Sequence, residues 1–372
     1  MGGAYTPGLR VCPGTIVRKE RKLPLRGQVV VSVGDSVNSD TVVARTEIPG
    51  VIQTLKIAEM LGLEPAEAVA AMTVKQGDKV EAGQVVARSK SFFGLFTSEC
   101  KAPYTGTVEL VSRATGHLGI RMPSRPVEVD AYIDGVVTDV LDDEGVVVET
   151  YGALIQGIFG VGGERSGRLC VAVDSPGDVL TEDLLTEKHG QHVVVGGSGV
   201  TLGALRKAAS LGIKGIVVGA VVDVDLIEYL GHDIGVAITG QEDIVTTVIL
   251  TEGFGRLQMA NRTFRLLKSL DGHKVSINGA TQIRAGVIRP EIIAPLEFVE
   301  HTDEDTGVSS LEVGTDIRVI RDPYFGALGK VTKLPPELVE IESGAIVRVL
   351  EAKLEDGREV TVPRANVEII EG

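Results

Sequence analysis

Val31-Ser-Val-Gly-Asp-Ser-Val-Asn-Ser-Asp-Thr-Val-Val-Ala-Arg45 and Val74-Lys-Gln-Gly-Asp-Lys-Val-Glu-Ala-Gly-Gln-Val-Val-Ala-Arg88 are two versions of one pattern. Each reads V-x-x-G-D-x-V, a turn, then V-V-A-R. Gly-Asp makes a tight turn because glycine tolerates positive φ, and the valines on either side favour short paired strands. Repetition of such a hairpin predicts a pseudo-symmetric β module.

The second copy, with Ala102-Pro-Tyr-Thr-Gly-Thr-Val108 after it, resembles the biotinyl/lipoyl family, the barrel-sandwich hybrid, over roughly residues 25 to 125. In that family a G-D-x-V-x-x-G pattern precedes a hairpin carrying a modified lysine, and A-P-x-x-G-x-V closes the sheet. Counted back from Ala102-Pro103, the attachment position holds Leu95. An aliphatic side chain supplies no amine, so the resemblance implies the fold without biotin or lipoate, and no cofactor is expected there. The tip Phe92, Phe93, Leu95, Phe96 holds three of the chain's eight phenylalanines. It reads either as packing onto a neighbouring domain or as a docking patch. Between the copies, residues 51–72 read as one or two short amphipathic helices, with Pro65 in the first turn of the second. Further strands are expected at 119–121, 127–133 and 146–150.

At 372 residues the chain exceeds one ordinary core, so two or three domains are expected. Aromatics make up 4% and Trp is absent, so the cores are built from Val, Ile, Leu and Ala. Forty-six glycines fit many short strands joined by tight turns. The net charge of −14 repels phosphate backbones and anionic lipid, which argues against broad nucleic-acid or membrane binding. No apolar run reaches the length of a membrane span. Cys12, Cys100 and Cys170 form no CxxC pair, and reduced cytoplasmic thiols are the plain reading. The start Met1-Gly2-Gly3-Ala4-Tyr5-Thr6 fits the short myristoylation pattern formally.

From 151 to 299 the periodicity changes to strand–helix–strand alternation. Strands are expected at 193–195, 215–218 and 234–238 and helices at 202–211 and 224–230, which predicts an α/β domain with a mostly parallel sheet. Ligands of such sheets sit at the carboxyl ends of the strands. The loop Gly196-Gly197-Ser198-Gly199-Val200-Thr201 is the candidate there, its amides and hydroxyls able to cradle a phosphate. The alternative is a tight turn with Ser198 or Thr201 as helix cap. Glu252 and Gly253, in Thr251-Glu-Gly-Phe-Gly255, complete the candidate cofactor site. With Glu242 and Asp243, Glu252 could form an acid–base or metal set if the three converge. His189 and His192 lack a carboxylate or cysteine companion. Residues 256–271 read as a helix with a basic face, and 275–288 as two strands around Asn278-Gly279.

Residues 300–312 are an acidic linker. Beyond it, Val313-Gly-Thr-Asp-Ile-Arg-Val-Ile-Arg-Asp-Pro-Tyr-Phe-Gly-Ala-Leu-Gly-Lys-Val331 resembles the KOW family, with Gly326 and Gly329 in its G-x-x-G. The resemblance covers 313–372 and implies a small SH3-like β-barrel docking on RNA, ribosome or RNA polymerase, with Tyr324, Phe325, Gly326 and Gly329 at the docking face. Between 314 and 372 there are eight Lys/Arg and eleven Asp/Glu, so protein docking fits better than phosphate contacts.

The expected architecture is a multi-domain α+β chain: residues 1–150 barrel-sandwich-hybrid-like, 151–299 α/β, and 313–372 KOW-like. The favoured function is a non-catalytic adaptor or scaffold, docking on protein partners or self-assembling as a homo-oligomer. A flavin- or nucleotide-binding enzyme subunit using the central domain is the alternative, and a KOW-type transcription or translation factor a second.

Overall fold

A computed structural model describes residues 9–91, 96–232, 244–282, 288–297, 311–319, 321, 323–324, 326–340 and 346–371. The two Gly-Asp repeats fold as copies of one turn. Gly34 and Gly77 stand at φ +92° and +95°, the third position of a type II turn, which L side chains resist. The following carboxylate takes an amide three residues back: Ser32 N donates to Asp35 Oδ2 and Lys75 N to Asp78 Oδ2, both at 2.8 Å.

The agreement extends well beyond the turn. Gly34 N donates to Val137 O at 2.8 Å, and Gly77 N to Val108 O at 2.7 Å. Ala131 N reaches Thr41 O at 2.9 Å, and Ala102 N reaches Gln84 O at 2.8 Å. Ser39 N donates to Asp134 Oδ1 at 2.7 Å, and Ala82 N to Thr105 Oγ1 at 3.1 Å. Ala131-Tyr-Ile-Asp-Gly-Val-Val137 is therefore the counterpart of Ala102-Pro-Tyr-Thr-Gly-Thr-Val108.

The copies are nested, not in tandem. Strand Val85–Ser91 pairs with Phe96–Lys101, Ser91 opposite Phe96. The matching strand Val42–Ile48 pairs with Arg125–Asp130, Ile48 opposite Arg125. The inner copy, 52–121, thus emerges where the hairpin of the outer copy, 28–48 plus 125–149, would turn. Residues 52–55, expected as helix, form a strand paired with His117–Arg121. Only Ile57–Leu61 (α1) and Pro65–Ala71 (α2) are helical there, with Pro65 at the start of α2.

Strand Gly145–Gln156 runs unbroken through residue 150 and pairs antiparallel with the long first strand Leu9–Lys22 and with Glu291–Pro295. In the centre, Arg165–Val171, His192–Val195, Gly215–Val221 and Thr247–Phe254 lie parallel in that order. Antiparallel strands Phe159–Val161 and Lys274–Asn278 flank them. Helices Leu202–Ser210 (α3) and Asp223–Leu230 (α4) cover one face, through Val194, Ile216, Val218 and Leu250. Helix Asn261–Ser269 (α5) covers the other, through Val193, Val195, Val217 and Ile249. With both faces covered, every residue of Gly215–Val221 is buried, which is why these strands read as unbroken apolar runs.

The strand expected at 234–238 lies outside the described residues. Helix α5 begins later than the expected 256, because Ala260 N is held by the Glu252 carboxylate and Met259 N by Pro176 O. The Asn278-Gly279 hairpin is also corrected. Lys274–Asn278 pairs with Glu291–Pro295, and Gly279 packs where a Cβ would lie 2.3 Å from Val161 O.

The C-terminal strands are antiparallel around Ile317, Val331, Leu350 and Val362. Strand Val367–Glu371 pairs with Asp316–Val319 and, in parallel, with Leu9 and Arg10 of the first strand. This module opens on the same turn as the repeats: Gly314 has φ +97° and Glu312 N donates to Thr315 Oγ1 at 3.0 Å. The whole is mostly β, with one large mixed sheet running through its centre. No helix among the described residues is long and apolar enough to cross a membrane.

Candidate functional site

The glycine-rich loop lies at the carboxyl end of the parallel strands. A crevice of about 310 Å³ opens there, lined among others by Ser198, Gly199, Thr201, Asp225, Gly255 and Arg256. Its donors are largely engaged within the chain. Gly196 N donates to Val217 O, Ser198 N to Asp178 O and Thr201 N to Leu180 O. Ser198 Oγ donates to Gly177 O, and Thr201 Oγ1 accepts from Ala204 N as the cap of α3 while donating to Glu182. Gly197 serves close packing, since a Cβ would stand 2.4 Å from Asp178 O. A phosphate in this loop would have to displace backbone hydrogen bonds. The tight-turn and capping reading describes this geometry.

Glu252 does not line that crevice. It is 3% exposed, and Oε1 accepts from Ala260 N and from the Thr251 hydroxyl. Its Oε2 pairs with the Arg318 guanidinium, which also donates to Thr251 O at 3.1 Å. Both side chains of this ion pair are nearly dry. Removing either partner of such a pair costs about 3–5 kcal/mol, because the other charge is left buried. Glu252 thus fastens the C-terminal module to the central sheet. Gly253, at φ +134°, supports the chain turn that follows. Glu242 and Asp243 lie outside the described residues.

The same junction holds an open-mouthed cavity of about 440 Å³ between the first strand, α5 and the C-terminal module. Gly329 lines it, and a Cβ on Gly326, which has φ +80°, would lie 3.2 Å from the Leu257 side chain. Gly326 therefore faces the central body of this chain, whereas Gly329 packs against Lys353 and Leu354 of its own module, where a Cβ would lie 2.7 Å from Lys353 O. Tyr324 packs at the edge of the C-terminal core with the Arg358 guanidinium 5.6 Å above its ring. Phe325 lies outside the described residues, as do Phe92, Phe93 and Leu95, and of Phe96 only the strand backbone is described.

A third polar cluster joins the outer copy to the central sheet, and no sequence signal marked it. Tyr132 is buried and left-handed, at φ +69°. Its hydroxyl donates to Glu291 at 3.3 Å, and Glu291 accepts from Lys19 Nζ at 2.7 Å. Burial, and next the Glu291 charge, push the Tyr132 phenol well above its ordinary pKa. Arg21 stacks over the Tyr132 ring and holds Glu164 with both terminal nitrogens, at 2.8 and 2.7 Å.

His189 and His192 serve turns. His189 Nδ1 accepts from Thr186 N, and His192 Nδ1 contacts Gly190 O. Burial, then the neighbouring His192, lowers the His189 pKa. Among the described residues no group of three or more His, Cys, Asp or Glu side chains is placed to hold a metal ion. No family model matches the chain, and no curated protein matches it.

Proposed function

We propose that this chain is a non-catalytic adaptor or assembly protein, docking on a larger complex or on further copies of itself through its β modules. The observation that carries this reading is the way the inner copy is presented. Its core, from Ile57 through Val86 and Leu118 to Ile120, draws only on its own residues. It joins the rest through the two chain crossings at 48–52 and 121–125. A self-contained module held out at the end of another module is placed to meet a partner.

Its sheet carries an apolar patch. Ile52 and Leu110, 44% and 50% exposed, both lie within 3.2 Å of where a Cβ on Gly119 would stand. Contiguous apolar surface of this kind marks interaction sites. We further read the nested copies as barrel-sandwich-hybrid-like, the parallel strands with α3 to α5 as an α/β layer, and the C-terminal strands as an SH3-like barrel of KOW type. The reading includes protein partners in place of nucleic acid, a cytoplasmic location, and no biotin or lipoate at Leu95.

Native mass spectrometry of the full chain tests it. A defined oligomer or a stable complex is expected, weakened in the double variant Ile52→Asp/Leu110→Asp with an unchanged melting temperature. A monomer without partners, indifferent to those substitutions, would sink the proposal.

A further inference from the structure

We propose that the junction cavity binds an organic phosphate of mononucleotide size. Its volume of about 440 Å³ lies within the ~300–1,000 Å³ typical of small-molecule sites. Val11, Ile317 and Leu354 give it apolar walls, suited to the body of a ligand. Its charge is unlike that of the chain. In a protein of net charge −14, five cationic side chains line this one cavity.

Two of them are already neutralised, Arg318 by Glu252 and Lys330 by Asp316 at 3.5 Å. Arg262, Arg265 and Lys353 have no ion-pair partner among the described residues, and Glu355 is the one remaining carboxylate of the lining. Like charges gathered around a cavity repel one another, and a dianion relieves that repulsion. Arg262 and Arg265 are three residues apart near the start of α5, so their side chains share a face. Two planar guanidinium forks on one face suit the oxygens of a phosphate.

The cations come from two bodies. Arg262 and Arg265 belong to the helix on the central sheet, and Lys353 to the C-terminal module. A bound phosphate bridges them, adding to the Glu252–Arg318 pair as a second fastening. The site is separate from the glycine-rich loop and does not depend on the inner copy. Its success or failure is therefore independent of the adaptor reading.

The test is calorimetric titration of the full chain with AMP, ADP, inorganic phosphate and adenosine at low salt. AMP or ADP is expected to bind with Kd below about 1 mM, and adenosine at least about tenfold more weakly. Ligand should raise the melting temperature, and added salt should weaken binding. Arg262→Gln and Lys353→Gln, singly and together, are expected to reduce affinity about tenfold or more. Arg206→Gln, an exposed site paired with Glu228 on the opposite face, should leave it unchanged. Urea midpoints equal to that of the parent protein establish that the variants are folded. No binding by any of the four probes up to about 5 mM would overturn the proposal. So would adenosine binding as tightly as AMP, or undiminished binding in both folded single variants.

Discussion

The outer and inner copies share their turns and ladder bonds but differ in what surrounds them. The inner copy closes its own core, with α1 and α2 supplying Ile57, Ala58 and Ala68. The outer copy has no helices and completes its core with Leu154 and Ile293 from the central sheet. One aligned position shows how they diverged. Pro103 of the inner copy corresponds to Tyr132 of the outer, where a left-handed backbone accompanies the hydrogen bond to Glu291. Left-handed tyrosine is costly by itself, of order 1–3 kcal/mol, and persists only where the surroundings over-determine it. The same hairpin chemistry has thus been fastened to the central body in one copy and left as a separate unit in the other.

Aspartate placed in each core tests that distinction most severely. Val43 and Val86 occupy equivalent positions and are both fully buried. A carboxylate at either site lacks a partner, and each substitution should cost about 4 kcal/mol or more. Hydrogen exchange should separate the outcomes. Val86→Asp should strip protection from 52–121 alone, whereas Val43→Asp should also expose Gly145–Gln156 and Glu291–Pro295. Loss of protection in Gly215–Val221 after Val86→Asp would show that the inner copy is not an independent unit.

The repeat was legible because a Gly-Asp turn and its valines act over a few residues. The nesting was not, since Ile48 opposite Arg125 is a long-range pairing that leaves no local trace. The second A-x-x-x-G-x-V stretch, 131–137, had the right spacing but was masked by Tyr132 in place of proline. In the centre, the alternation of strands and helices was plain, yet the glycine-rich loop invited a ligand where the chain itself packs close, the Leu180 and Val218 side chains against Gly196 and the Asp178 carbonyl against Gly197. The junction depends on pairs such as Glu252 with Arg318, 66 residues apart, and on the late start of α5. Only the fold brings these together.

The attachment of the outer copy can be weakened directly. Glu291→Ala leaves Lys19 and the Tyr132 hydroxyl without their acceptor and should cost about 2–3 kcal/mol by urea midpoint. Tyr132→Phe removes one hydrogen bond and should cost about 1 kcal/mol near neutral pH. Tyr132→Phe also differs from the parent in pH dependence. The folded phenol holds its proton to higher pH than an unfolded one, chiefly through burial. Its contribution is complete below the unfolded value of about 10 and declines as pH rises past it. Tyr132→Phe should therefore show a shallower loss of stability in alkali. An unaltered alkaline slope would place the phenol outside the titration.

The smallest effect comes from exchanging residues between equivalent sites. Asp134 and Thr105 do the same task, accepting from Ser39 N and Ala82 N respectively. Asp134 adds an ion pair to Lys274 at 2.7 Å, with both side chains partly exposed. Asp134→Thr keeps an acceptor for the Ser39 amide and loses only that pair, so it should cost less than about 1 kcal/mol. Asp134→Ala also strands the amide of a residue that is 6% exposed, and should cost about 1–2 kcal/mol more. Thr105→Asp should be nearly neutral. If Asp134→Thr proved as damaging as Asp134→Ala, the carboxylate would be acting mainly through Lys274. The outer copy would then be held by charge at this point, and the shared turn geometry would matter less than the fastening to strand Lys274–Asn278.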